Sequence, residues 1–453
     1  MTAPSRAFVC PIINLSLFVP YLFLSPIRHT STAADSIFTR AKLGNALFIL
    51  GKIMRTILRL ETLSCRSIGG LILLAALASL FLVGCSKPEQ RTIVVLGDVS
   101  GQYRQIGESV RLGAQFAALN LPNLPDGTKL TVRVVNDRGD VENARTEALK
   151  AIADPSVLAV IGHSTSGTTG AAIDVYGPQA MPLFMPVATN PNLTISAKKR
   201  GWSNLYRLVP PDVFQAAKIA EFCASKQLSA KTVVVLYDSS PYGQTLGNSL
   251  RIALSNQKID VPKHLLVEPF IPGRTDYKRI TELISPLAPD VIVFAGYYRE
   301  GGALVKDLRA YGFSGPIILT DGCFPMEILR EVGPKPSPLY VSFVAPVWNS
   351  VPNAAGLLDW ARKIEPNTDL SYTPFATDSM YLIHKGATDI VSRGHRLDRN
   401  SLLSYLQENR DFHKELIAAP YRFNDEGDNV LGRNYIYQFT EGTDGKRAWG
   451  FKE

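Results

Sequence analysis

Cysteine is scarce in this 453-residue chain: of five residues, Cys10 and Cys65 lie upstream of an apolar segment that ends at Cys85. Only Cys223 and Cys323 remain beyond it, so no disulfide framework is expected to hold the body together. Metal-ligand spacing is missing too, since neither H-E-x-x-H nor C-x-x-C occurs and the six histidines are scattered. The phosphate-loop pattern G-x-x-x-x-G-K-[ST] is absent, and "GHSTS" puts Ser164 third but closes on Ser166 where a nucleophile elbow needs glycine. His163 has no acid or nucleophile at motif spacing and reads as a loop or core histidine. An enzyme, a metal site and a bound cofactor are therefore not expected. The body also lacks an excess of charge of one sign. Of the formal +8, residues 1–84 carry eight Lys/Arg against two acids, which leaves residues 85–453 at about +2. With no basic stripe to neutralise phosphates, nucleic acid is excluded as a partner.

A run of about 20 apolar residues, enough to span a bilayer, is lacking as well. Arg55, Arg59 and Arg66 precede the apolar stretch Ile68–Val83, which ends at Gly84 before Cys85. This order of charged, apolar and small residues is that of an export signal. The ending Leu82-Val83-Gly84-Cys85 resembles the lipobox of bacterial lipoproteins, which implies a signal peptide over 54–84, a lipid on Cys85 and a polar tether over 85–91. The alternative is an ordinary anchor helix. Residues 1–53 hold a second apolar stretch, Ile12–Leu24, broken by Pro20. Upstream of a complete leader it has no physical use, so 1–53 is read as a gene-model extension with the true start at Met54; a further membrane segment is the other reading.

What is present is alternation. Apolar β-branched runs at Thr92–Gly97, Leu130–Val135, Val157–Ile161 and Pro182–Met185 alternate with helical spacing at Ile106–Leu119, Val141–Ala153 and Thr169–Tyr176. After the Pro210-Pro211 break the series resumes, with a helix opened by Ser240 as cap and Pro241 at its first position, and it finishes in strands around Pro420–Phe423 and Tyr435–Phe439. Such alternation predicts an α/β fold: two doubly wound, Rossmann-like lobes with parallel sheets and a ligand cleft between them. Residues 92–208 with about 346–425 are expected to form lobe 1, and 209–345 with about 434–453 lobe 2.

In open α/β sheets ligands sit beyond the carboxyl ends of strands, at helix N-termini. Five segments follow strands in this way. "GHSTSGTTG" offers Ser164, Thr165, Ser166, Thr168 and Thr169 among glycines, which suits a carboxylate or is simply an N-cap loop. "MPVATNPNLT" adds the Thr189 hydroxyl and carbonyl acceptors, Val187 especially, although Asn190-Pro191 alone reads as a turn. An anion cup beside carbonyl acceptors is what a zwitterion needs. In the second series "SPYGQ", "GYYRE" and "DGCF" place Tyr242, Tyr297 and Asp321 at strand ends. Asp321 suits an ammonium and the tyrosines an apolar or cation-facing wall; packing aromatics and a turn aspartate are the plainer readings.

These segments, together with "IVVLGDVSGQYRQIGESVRLGAQFA", resemble the branched-chain amino-acid binding proteins of ATP-driven (ABC) importers, from about Thr92 to Phe439. The resemblance implies a class I periplasmic-binding-protein fold that closes on its ligand. Matched motif by motif, it implies that Ser166, Val187 and Thr189 contact the α-carboxylate and α-ammonium from lobe 1, and that Tyr242, Tyr297 and Asp321 close from lobe 2. Tyr103, Ile106 and Thr165 would line the side-chain pocket. This chain departs from known members in Asp321, where they carry Glu, and in Ile106, where they carry an aromatic wall. The implied partners are an amino acid or amide ligand, a membrane permease and an ATPase. A ligand sensor, or a structural lipoprotein that has lost its ligand, would use the same fold.

Overall fold

The computed structural model describes residues 89–267, 276–413, 416–418 and 420–453. The leader, Cys85 and most of the tether lie outside the described residues. No helix among the described residues is long and apolar enough to cross a membrane.

The first strands rise where the β-branched runs predict. β1 (Gln90–Gly97), β2 (Lys129–Asn136), β3 (Val157–Gly162), β4 (Leu183–Met185) and β5 (Leu205–Arg207) form one parallel sheet in the order β2-β1-β3-β4-β5. Between them run α1 (Arg104–Asn120), α2 (Val141–Ala153), α3 (Ser166–Tyr176) and α4 (Asn192–Lys199). β3 and β4 are buried along their whole length, as a parallel sheet covered on both faces requires. Asp140 opens α2 by accepting the Asn143 N–H at 2.8 Å, a cap worth about 1 kcal/mol.

The second sheet repeats the plan. α5 (Asp212–Ala224) leads to β6 (Val233–Tyr237), α6 (Pro241–Asn256), β7 (His264–Leu266), α7 (Lys278–Ile284), β8 (Val291–Ala295), α8 (Tyr298–Ala310), β9 (Ile317–Leu319), α9 (Ile328–Glu331) and β10 (Leu339–Phe343). Ser240 caps α6 through the Gly243 N–H, with Pro241 at the first position, as the sequence predicts. The chain then returns to the first sheet's side as α10 (Ala355–Ile364), α11 (Thr373–Ser392), α12 (Arg399–Glu408) and the small pair β11 (Asp411–Phe412) and β12 (Tyr421–Arg422). α11 packs so closely on α1 that a Cβ at Gly113 would lie 2.1 Å from the Thr373 carbonyl oxygen. α12 is tied to the same side by Arg399, whose guanidinium donates to carbonyls of Ala151, Ile152, Asp154 and Val157. Finally β13 (Tyr435–Glu441) and β14 (Arg447–Phe451) add antiparallel to β10. The second sheet thus reads β14-β13-β10-β9-β8-β6-β7.

Two details differ from the sequence reading. The segment after Asn190-Pro191 is a helix, α4, and not only a turn. The chain ends in a hairpin, β13 and β14, where the sequence suggested a single strand at Tyr435–Phe439.

Candidate functional site

Both sheets share one topological reversal. Strand order switches between β1 and β3 in the first sheet and between β6 and β8 in the second, the positions where α/β sheets bind ligands. Residues leaving both sets of strand ends line one cavity: Ile106, Ser164, Thr165, Ser166, Val187 and Thr189 from the first, and Tyr242, Tyr297, Asp321 and Gly322 from the second. The cavity is about 10 Å³, roughly the room for one water molecule. A cavity of about 720 Å³ lies away from these strand ends, and one of about 400 Å³, beside Leu208 after β5 and Val344 after β10, is walled mostly by apolar side chains.

The first-sheet half is a cup of backbone and hydroxyls. Gly162 leaves β3 at φ +142°, and a Cβ there would sit 2.1 Å from the Leu96 carbonyl oxygen, so only glycine makes the bend. Ser164 then accepts the Asp98 N–H at 2.7 Å, fixing the loops after β1 and β3 to each other. Thr165 caps α3, accepting the Thr168 N–H at 3.1 Å, so it lines the cavity with its hydroxyl already committed to the helix. Ser166 begins α3, where unpaired N–H groups and the helix dipole favour an anion. Behind the loop His163 is fully buried, its Nδ1 2.6 Å from Asp137 Oδ2, a core histidine as the sequence suggests.

The Ala188–Asn190 turn is held from below. The buried Arg207 guanidinium donates to the Ala188 and Asn190 carbonyls at 3.0 and 2.9 Å, and pairs with Asp428 at 2.8 Å. Thr189 gives its carbonyl to the Asp212 N–H. Asn190 accepts the Asn192 N–H to start α4, and its amide nitrogen crosses to the second sheet's side, donating to the Pro241 carbonyl at 3.0 Å and the Thr245 hydroxyl at 3.1 Å. Val187 also lines the cavity.

The second-sheet half is a carboxylate among phenols. Asp321 is buried and accepts the Tyr242 hydroxyl at 2.5 Å and the Tyr372 hydroxyl at 2.9 Å. Burial pushes the Asp321 carboxyl up from its usual range, and these hydrogen bonds only partly offset that. Burial, with the charge of Asp321 added at Tyr242 and Tyr372 and the Tyr103 and Asp238 groups at Tyr297, also holds these three phenols well above their ordinary pKa, so all three stay neutral. Tyr297 is packed between Tyr242 and Tyr103, ring centroids 5.2 and 4.5 Å away. Tyr103 is not among the lining residues: it stands behind Tyr297, and its N–H is bound to Asp98. A further link, from the Tyr298 hydroxyl to the Gln102 carbonyl at 2.5 Å, joins the two halves. The cleft is closed.

Tyr372, which lines the cavity, and Asp212, which stands behind it, escape the sequence reading. Tyr372 lies just before α11 and reaches Asp321 from across the chain. Asp212 opens α5, and the preceding Pro210-Pro211 marks it only as a helix start. Among the described residues, no group of three or more His, Cys, Asp or Glu is placed to hold a metal ion.

A family model described as periplasmic binding protein matches residues 90–446. The chain is 28% identical over 281 residues to an amino acid binding protein of Pseudomonas aeruginosa, covering 61% of this chain and 72% of that protein. It is 23% identical over 366 residues to a Leu/Ile/Val-binding protein of Escherichia coli, covering 80% and 94%. Among solved structures, the branched-chain amino acid transporter substrate binding protein LivJ of Streptococcus pneumoniae in complex with isoleucine is similar at TM-score 0.67 and 24% identity, with 80% of this chain and 99% of that one covered.

Proposed function

Because the chain belongs to the periplasmic binding protein family, we propose that it captures an amino acid of branched-chain type, or a related amide, and delivers it to an ABC importer. The observation that carries this reading is the polarity across one cavity: the α3 N-terminus with Ser166 and Thr189 on one side, Asp321 and three phenols on the other. A zwitterion needs both halves, a carboxylate end at the hydroxyl cup and an ammonium end at Asp321. Sugars would leave Asp321 without a cation, and nucleotides would bring phosphate to a carboxylate.

The lobes act as a trap. Room for about one water means that ligand enters only when they part. Contacts made by both lobes to one ligand then stabilise the closed form by the difference in affinity between the two forms. The closed shape is what the permease and its ATPase would read. The protein works as a binder and not as an enzyme, outside the cytoplasm, held at the membrane by lipid on Cys85.

Calorimetry on protein unfolded and refolded to strip bound ligand tests the reading. An amino acid or amide should bind, and sugars and nucleotides should not. Tight sugar binding with no response to any amino acid or amide sinks it.

A further inference from the structure

A second carboxylate lies behind the residues that line the cavity. Asp212 is fully buried at the start of α5, and neither carboxylate oxygen has a well-formed hydrogen bond. Its own N–H is bound to the carbonyl of Thr189, which places it directly behind the cup. Its charge bears on Tyr242 from α6 and on Tyr297 after β8. The charged groups that bear on it are Asp321 after β9 and Arg207 on β5. The Arg207 guanidinium is already committed to Asp428, to Thr194 and to the carbonyls of Ala188 and Asn190. Asp321 receives neutral donors, the phenols of Tyr242 and Tyr372 and the amide of Gln215. Two carboxylates therefore share a buried space without a cation of their own.

Two ionised carboxylates cannot coexist cheaply under those conditions, and such a pair keeps one proton between its members. We propose that Asp212 is a second acidic residue of the ligand site, and that capture of the ligand's ammonium drives one proton off the Asp212–Asp321 pair. The carboxylic O–H bond breaks, the proton passes to the buffer, and both carboxylates then face the incoming cation. This rests on the amino-acid reading given above. Burial, with the charge of Asp321 added, pushes the Asp212 carboxyl up to about 8, while the nearby Thr189 hydroxyl and Arg207 pull the other way without cancelling. At pH 7 the empty pair thus retains its proton. The sign follows: affinity rises with pH, by up to about tenfold per unit below pH 8, and levels off above it.

Two measurements test this. Calorimetry with L-leucine at pH 7 in phosphate and in Tris, whose ionisation heats differ, should show close to one proton released per ligand bound. Binding with equal heats in the two buffers overturns the proposal and leaves the amino-acid reading standing. The second measurement needs no ligand. A carboxyl raised in the folded state makes stability fall as pH rises from the unfolded value near 4 towards 8. Thermal melts of Asp212→Asn across that range should show a shallower fall than wild type; parallel curves overturn the shared proton. The two-buffer measurement uses the native chain, so a variant that fails to fold does not shield the proposal. Absence of leucine binding alongside a shallower Asp212→Asn curve supports the shared proton and counts against a branched-chain ligand.

Discussion

The Tyr372 hydroxyl donates to Asp321 Oδ2 at 2.9 Å, across 51 residues of chain. Asp321 follows β9 of the second sheet, whereas Tyr372 immediately precedes α11, the helix locked onto α1 beside the first sheet. The carboxylate assigned to the ligand therefore also ties the two lobes together. With the Asn190 and Tyr298 bonds, it makes a closed form that does not depend on ligand alone.

Tyr372→Phe removes this donor and keeps the ring. A hydrogen bond to a charged group contributes about 1.5–3 kcal/mol, so the ligand-free closed form should lose most of its population. Small-angle scattering checks this: the ligand-free radius of gyration should grow, and the ligand-bound radius should match wild type. An unchanged ligand-free radius removes Tyr372 from the closure.

Asn190→Asp keeps the oxygen that starts α4 and replaces the amide that crosses to Pro241. A carboxylate then faces a carbonyl. Affinity should weaken by about tenfold, mainly through faster release, because mutants of one interface differ mostly in dissociation rate. Stopped-flow displacement measures it; a wild-type release rate contradicts the role given to the crossing.

Arg207→Met should hurt folding before it affects binding. Removing one partner of a buried ion pair costs about 3–5 kcal/mol, and here the Ala188 and Asn190 carbonyls also lose their donor. The urea midpoint should fall accordingly. A stability change under about 1 kcal/mol, the size of one ordinary hydrogen bond, would mean that the turn holds itself.

The alternating strands and helices were legible because β-branched runs and capping residues act locally. Asp140 and Ser240 set helix starts within their own turns. α4 was hidden because Asn190-Pro191 signals a turn and β-branched Thr194 and Ile195 weaken the helical pattern. β14 was missed although Asp444-Gly445, between Phe439 and Trp449, is a hairpin signal. The strand-end rule points to Ser166, Thr189, Tyr242, Tyr297 and Asp321, which line one cavity, since each follows its own strand. Tyr372 follows no strand and reaches Asp321 only through the packing of α11 on α1. Asp212 carries a helix-start signal common to many aspartates; only its burial beside Asp321 sets it apart.

Asp321→Ala, read by ligand calorimetry and by thermal melting of the ligand-free protein, tests the central claim most directly. If Asp321 meets the ligand's ammonium, truncating that partner should cost about 2–5 kcal/mol of affinity, roughly 30- to several-thousand-fold, in addition to the loss of stability from leaving the Tyr242 and Tyr372 hydroxyls without their acceptor. Wild-type affinity in the variant, with only a modest loss of stability, would make Asp321 a turn residue before Gly322 and contradict amino-acid capture at this cleft.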